Sequence, residues 1–416
     1  MQTTLAPAFR NTPAGEAAEH ILRTCVHCGF CSATCPTYQL LGDELDSPRG
    51  RIYQIKQVLE GERPTRRTQI HLDRCLTCRA CETTCPSGVR YAQLLEVGRQ
   101  QVENRVQRPL KERIERWLAL TLLPYPRRFA TLVRIGRLAR PLLPKRLADK
   151  LPAAVASPPP LASSPTCGRR MLLLEGCVQP ALDPTINAAA RNVLARLGIA
   201  LDAVPEAGCC GAMPQHLSAE HQALDMMRRN IDAWWPAIEA GTEAIVITAS
   251  ACAVTVKAYG RLLRDDPAYR ERAARVSEMT KDLVEILEGE ALTPLGRAEA
   301  DHPPIAFHAP CTLQHGERLQ GRVEALLTRL GYRLTPVPDA HLCCGASGTY
   351  SLFQPDIARR LRTNKLAALE SGKPALIATA NIGCLNDLRS ASPLPVIHWI
   401  RLLERLTAPA TSASTD

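Results

Sequence analysis

Eight cysteines among the first hundred residues stand at spacings that can hold metal clusters. They read Cys25-Val26-His27-Cys28-Gly29-Phe30-Cys31-Ser32-Ala33-Thr34-Cys35-Pro36, and again Cys75-Leu76-Thr77-Cys78-Arg79-Ala80-Cys81-Glu82-Thr83-Thr84-Cys85-Pro86. In a C-x2-C-x2-C-x3-C-P run, three closely spaced thiolates wrap three irons of a cubane, and the fourth cysteine reaches the other cluster. The spacing therefore predicts two [4Fe-4S] clusters, one on Cys25, Cys28, Cys31 and Cys85, the other on Cys75, Cys78, Cys81 and Cys35. Proline after the last cysteine ends the local turn and redirects the chain. Paired C-x-x-C knuckles also build tetrahedral zinc sites, but the 2-2-3 spacing, twice over and each time followed by proline, favours the cubane. Two one-electron centres shared between the two runs lie close enough to exchange electrons. With no redox substrate motif beside them, they read as a wire.

Eight further cysteines fall in an internal repeat. MLLLEGCVQP aligns with IAFHAPCTLQ, AVPEAGCCGAM with VPDAHLCCGAS, and AIVITASAC with LIATANIGC, which sets Cys177, Cys209, Cys210 and Cys252 against Cys311, Cys343, Cys344 and Cys384. Two copies of one module are the simplest account. Within each copy short apolar runs alternate with helical patterns, which predicts a βα architecture around a largely parallel sheet. Leu224, Met227, Ile231, Trp234 and Ile238 make one helical face. Cys177, Cys252, Cys311 and Cys384 each follow a strand candidate, and the carboxyl ends of strands line the ligand crevice in open α/β sheets. Each set of four is thus expected to converge. Four thiolates suffice for an additional iron-sulfur cluster or for zinc, and a metal-free redox thiol set is the remaining alternative. The glycines after the doublets are expected to let the backbone turn tightly around the ligands.

The elements that must position these residues can be read more coarsely. At 416 residues the chain should hold two or three domains. We read a two-cluster domain over 1–98, a basic helical connector over 99–151 and a Pro-rich linker over 152–170. Two βα copies follow over 171–300 and 301–405, then a disordered tail over 406–416. Aromatics make up 4% of the chain, so the core should be aliphatic. The opening MQTTLAPAFRNTPAGEAAEH has no basic segment leading into an apolar one, which predicts a cytosolic, reduced setting for the seventeen cysteines. No apolar run is long enough to span a bilayer.

The net charge of +10 is concentrated. Arg99 to Lys150 holds 14 Lys and Arg against four acids, and the remainder is neutral. In it Ile114, Trp117, Leu118 and Leu122, then Phe129, Leu132, Ile135, Leu138 and Leu142, recur at helical spacing among arginines. Such a stretch either lies peripherally on anionic lipid or packs on the chain's own domains. Nucleic acid is not expected, because no binding module or aromatic platform accompanies the charge. His216, His308, His315 and His341 lie near repeat cysteines, but surface or hydrogen-bonded histidines are commoner than ligands, so none is assigned as one. Cys167, in the linker, reads as a spectator thiol. No G-x-G-x-x-G fingerprint occurs, so bound NAD or Rossmann-type flavin is not expected.

The doublets Cys209-Cys210-Gly211 and Cys343-Cys344-Gly345 look like those of CCG cysteine-rich domains. With the paired ferredoxin-type runs ahead of them, the chain resembles the iron-sulfur subunits of glycolate oxidase over residues 1 to about 405. The resemblance is closest around CVHCGFCSATCPTYQLLGDELDSPRGRIYQIK, CLTCRACETTCPSGVRYAQLLEVGR and the two doublets. It implies an α+β and α/β chain, with a helical ferredoxin-like domain followed by tandem βα CCG copies. It also implies FAD-binding partner subunits that oxidise glycolate, with electrons passing through this chain toward the quinone pool. Heterodisulfide reductase-like members end the motif in C-x-x-C. Here Cys252 is followed by Ala253-Val254-Thr255 and Cys384 by Leu385-Asn386-Asp387, so each copy offers four thiolates. A thiol-disulfide redox subunit, or the iron-sulfur subunit of anaerobic glycerol-3-phosphate dehydrogenase, are the alternatives.

Overall fold

The structure is a computed structural model that describes residues 1–142, 151 and 168–407. Cys167, most of the Pro-rich linker and most of the C-terminal tail lie outside the described residues. The first hundred residues are helical. Thr12, Ser47 and Thr65 cap the helices Pro13–Thr24, Pro48–Glu60 and Arg66–Asp73 by accepting from a backbone N–H in the first turn, a contact that stabilises each helix start by about 1 kcal/mol. Their apolar faces meet the helix Tyr91–Glu103 around Leu22, Ile55, Leu59, Leu72, Leu94 and Leu95, all buried. Gly98 allows the close crossing, since a Cβ there would stand 2.5 Å from Ile55. Burying one such Leu or Ile contributes about 1.5–3 kcal/mol, so this small core can hold both cysteine runs at its edge.

Each repeat copy is a parallel sheet. β1 (Arg169–Leu174), β2 (Ile199–Ala203), β3 (Ile245–Ile247) and β4 (Thr280–Asp282) lie in the order β2-β1-β3-β4. β5 (Ile305–His308), β6 (Leu376–Thr379) and β7 (Val396–His398) lie in the order β5-β6-β7, and a bridge from Ile305 to Leu334 supplies the position that β2 fills in the first copy. Internal homology in the sequence is thus internal homology in topology. The helical face read around Met227 is the buried face of Glu220–Glu239, on which Leu224 and Ile238 are the partly buried margin. The two copies are not independent bodies. One apolar core runs from Met171 and Val193 to Leu385 and Leu403, and His398 Nε2 lies 3.0 Å from the Thr248 carbonyl of the other copy.

Between the cluster region and the repeats lie two basic helices, Leu110–Leu122 and Pro126–Leu138. One side packs inward. Arg116 donates to the Leu217 carbonyl at 2.7 Å, Val133 is buried and Phe129 packs on the repeat core. Ile114, Trp117, Leu132, Ile135 and Leu138 point away from the body and are exposed. The second apolar series is therefore divided, because the phase of Phe129, with Val133, faces the protein and that of Leu132, Ile135 and Leu138 faces water.

Candidate metal centres

The backbone curls around each cysteine run in the same way. His27 and Gly29 in the first run, and Thr77 and Arg79 at the corresponding places in the second, all have positive φ. Three of these four are not glycine, and such residues hold the left-handed conformation only where their surroundings impose it. Cys25, Cys28, Cys31 and Cys85 line one small apolar cavity with Val89 and Tyr91, which Cys81 borders as well. Cys75, Cys78, Cys81 and Cys35 line a second. The fourth cysteine of each run thus sits with the other run's three. Buried thiols resist ionisation: burial pushes Cys31 up to about 11 and raises Cys78 and Cys81 well above the ordinary thiol range. Thiols gathered this way become thiolates when a metal's positive charge is present to offset desolvation, and the donor set fits iron-sulfur clusters.

A buried ion group holds Cys35 in place. Asp46 is fully buried and accepts from Arg51 Nη2 at 3.1 Å and Arg74 Nη1 at 2.9 Å, with His71 Nδ1 at 3.1 Å. Arg51, also buried, donates onward to the His71 carbonyl and to Thr37 Oγ1, which lies 3.3 Å from Cys35 Sγ. Burial works against the Arg51 charge, and the Asp46 carboxylate beside it offsets that cost, so it stays cationic. Tyr91 Oη donates to Cys75 Sγ at 3.6 Å. Asp46 and Arg51 lie in the stretch that carries the family resemblance, but spacing alone gave no reason to single them out.

In the first repeat copy Cys177 stands in the loop after β1, Cys209 and Cys210 in the loop after β2, and Cys252 on the helix Ser250–Val256 after β3. The structure brings them together. The Cys177 and Cys210 thiols lie beside Cys209 and hold it well below the ordinary thiol range, and Cys252 meets Cys210 from the other side. Asn230 Nδ2 donates to the Cys209 carbonyl at 2.9 Å and Tyr259 Oη to that of Cys210 at 2.8 Å, fixing the doublet's backbone. Asn230 was legible in principle, as a polar residue on an otherwise apolar helical face.

The second copy repeats the arrangement. Cys311 and Cys343 sulfurs are 3.7 Å apart, and the Cys343 and Cys384 thiols, with the His308 ring, lie beside Cys344 and hold it low. Gly211 and Gly345 follow the doublets at φ +89° and +93°, and each donates its N–H at 3.4 Å to the first sulfur of the doublet. A Cβ on Gly345 would stand 2.8 Å from the Ala358 carbonyl oxygen, so only glycine fits. Of the four histidines considered, His308 alone joins a cysteine set: a ring nitrogen and the sulfurs of Cys344 and Cys384 all lie within 4.8 Å of one another. His315 instead meets Thr83 Oγ1 at 2.9 Å, tying the second cysteine run to this copy.

The second run docks on the second copy throughout. Ser347 Oγ donates to the Leu76 carbonyl at 2.7 Å and Tyr350 Oη to that of Arg74 at 3.0 Å. Leu76, Cys343, Tyr350 and Leu361 form an apolar cluster on which Cys78 and Cys311 pack. The first run faces outward: Cys28 is exposed, as are Val26 at 68% and Phe30 at 61%.

Known proteins share this layout. Residues 21–89 match the 4Fe-4S dicluster domain, and residues 171–257 and 305–389 each match the cysteine-rich domain. The chain is 56% identical over 408 residues to the glycolate oxidase iron-sulfur subunit of Escherichia coli (strain K12), covering 97% of this chain and 99% of that protein. It is 30% identical over 396 residues to the probable glycolate oxidase iron-sulfur subunit of Bacillus subtilis (strain 168), with 88% of each covered. Lactate utilization protein A of Bacillus licheniformis is 28% identical over 240 residues, 55% of this chain and 95% of that protein. Dicluster domain and both cysteine-rich copies, in this order and over nearly the full chain, place it in the family of glycolate oxidase iron-sulfur subunits.

Proposed function

We propose that the chain is the electron-transfer subunit of a flavin-linked glycolate (2-hydroxy acid) oxidase complex. The observation that carries this is the exchange of Cys35 and Cys85 between the runs, which sets two four-thiol sites side by side. Bound [4Fe-4S] clusters there would supply one-electron steps, while the two-electron oxidation belongs to a partner FAD subunit. The chain's own residues give the relay a direction. Exposed Val26 and Phe30 beside Cys28 form the entry face toward the flavin partner, and Cys78 against Cys311 leads inward to the second copy. Cys177, Cys209, Cys210 and Cys252, and Cys311, Cys343, Cys344 and Cys384, are read as two further thiolate-held metal sites. Cys35→Ser is expected to diminish the cluster of the Cys75 run more than that of the Cys25 run, counted by iron content and resolved by electron paramagnetic resonance. Loss of the Cys25 run's own cluster instead would refute the crossed ligation.

Among the described residues no helix is long and apolar enough to cross a membrane. Delivery toward quinone then calls for a surface that lies on lipid, and we assign the outward face of Leu110–Leu122 and Pro126–Leu138 to it. Ile114, Trp117, Leu132, Ile135 and Leu138 are exposed there among Lys111, Arg113, Arg127, Arg128 and Arg134. Each cation near an anionic bilayer adds about 1 kcal/mol. The full chain should sediment with phosphatidylserine vesicles at low salt and release at high salt. Trp117→Asp with Ile135→Asp should weaken that binding by about tenfold or more, since two charges would enter the interface. Equal retention by neutral vesicles, or by the double variant, would exclude this face as the contact.

A further inference from the structure

The two repeat copies differ at one cross-strand pair that faces the cysteine sets. In the first copy Leu174, the last residue of β1, pairs in register with Ile247 of β3, and both are buried in an apolar cluster with Cys210. In the second copy the same two positions are His308 of β5 and Thr379 of β6, again in register. Both members of the pair have changed from hydrocarbon to polar, in a place where neither reaches water: His308 is 2% exposed and Thr379 is fully buried. A buried imidazole must satisfy both ring nitrogens. Nδ1 does so at 2.9 Å from Thr379 Oγ1. Nε2 is buried and makes no well-aligned hydrogen bond, while the ring lies against the Cys344 sulfur.

Resting on the reading that the doublet thiols hold a metal, we propose that His308 Nε2 is a ligand of the second copy's centre beside Cys344 and Cys384, taking one of its positions in place of a thiolate, so that this centre is mixed imidazole-thiolate where the first copy's is all thiolate. The pairing is that of a ligating histidine, one nitrogen held by a neighbouring oxygen so that the lone pair of the other faces the metal. The donor spacing fits as well. A tetrahedral ion with metal-sulfur bonds near 2.3 Å separates its ligand atoms by about 3.8 Å. The 3.7 Å between Cys311 and Cys343 is of that order, and the ligand atoms of His308, Cys344 and Cys384 are close enough together to share one metal. Asn381 Nδ2 adds a donor to Cys384 Sγ at 3.4 Å, where the first copy has Ala249. These donors suit a thiophilic metal, as a zinc ion or as iron in a cluster. Iron with imidazole among its ligands takes up an electron more readily than iron with thiolates alone, and the second copy is the one that packs on Cys78.

The test uses the full chain purified without oxygen. Metal content of the wild type against Cys384→Ser identifies the second copy's metal as zinc or iron. A nitrogen signature is then sought, by zinc X-ray absorption in the first case and by nitrogen hyperfine coupling in pulsed electron paramagnetic resonance in the second. It should be present in the wild type and absent from the double variant His308→Leu with Thr379→Ile, which installs the first copy's pair, while the signals of the N-terminal clusters stay unchanged. A wild-type centre that contains metal but shows no imidazole, or a signature that survives the double variant, overturns the role of His308 and leaves the thiolate reading standing. Equal metal content in the wild type, in Cys384→Ser and in the double variant Cys344→Ser with Cys384→Ser overturns both.

Discussion

Replacing Cys78 with alanine is expected to stop electron delivery while leaving the first half of the reaction intact. Stopped-flow absorbance after glycolate is added to the assembled complex should show the flavin reduced at the wild-type rate. Reduction of an external acceptor should fall by on the order of 100-fold, because removing an obligate ligand removes the centre rather than weakening it. The physical case rests on position. Cys78 is in the set closed by Cys35, and it also packs with Cys311 on the apolar cluster that joins the second run to the second repeat copy. A cluster lost there interrupts the path between the outward-facing run and the repeats. Cys28→Ala, at the exposed edge, should act one step earlier and leave the second cluster oxidised. Wild-type clusters that stay oxidised while turnover runs at full rate would show that electrons bypass this chain.

Asp46→Ala should destabilise the N-terminal domain by about 3–5 kcal/mol, the cost of leaving a buried partner charge uncompensated. Arg51 is 1% exposed and Asp46 fully buried, so water cannot take over. The loss should appear as a lower urea midpoint for bleaching of the cluster absorbance, together with reduced iron in the second site, because Thr37 and the Asp46 carbonyl both contact Cys35. Combining Asp46→Ala with Arg51→Met should recover much of the midpoint, since apolar replacements of a buried ion pair are often near neutral. A midpoint shift under about 1 kcal/mol for the single variant, the range of an exposed pair, would mean that Arg51 finds another partner.

What could be read in advance has a common physical basis. Cluster ligation needs several thiolates from one short segment, so the chemistry is written as local spacing, and the two runs announce themselves at Cys25 and Cys75. The repeat is legible because each copy must build the same sheet from the same strand-and-loop order, which forces Cys177 and Cys311, and the two doublets, into matching places. Alternation of apolar runs with helical patterns likewise fixed the parallel βα architecture, since buried parallel strands and amphipathic helices leave different periods.

Tertiary structure decided whatever depends on residues far apart in the chain. Asp46, Arg51, His71 and Arg74 come from three segments, and none has a meaning until the helices cross. The division of the basic helices into an inward side with Val133 and an outward side with Ile135 depends on which side the repeats cover, and periodicity describes a face without saying what meets it. Which copy receives the second cysteine run is settled by long-range contacts such as Ser347 to Leu76. His308 is the instructive intermediate. The repeat alignment already set it against Leu174, but only the register with Thr379 shows that Nδ1 is held while the ring stays beside Cys344 and Cys384. Sequence alone marked the cysteines as candidate ligands, because thiolate spacing is local; the fold decided how the cysteine sets meet and that His308 joins one of them, because that is a matter of distance in space.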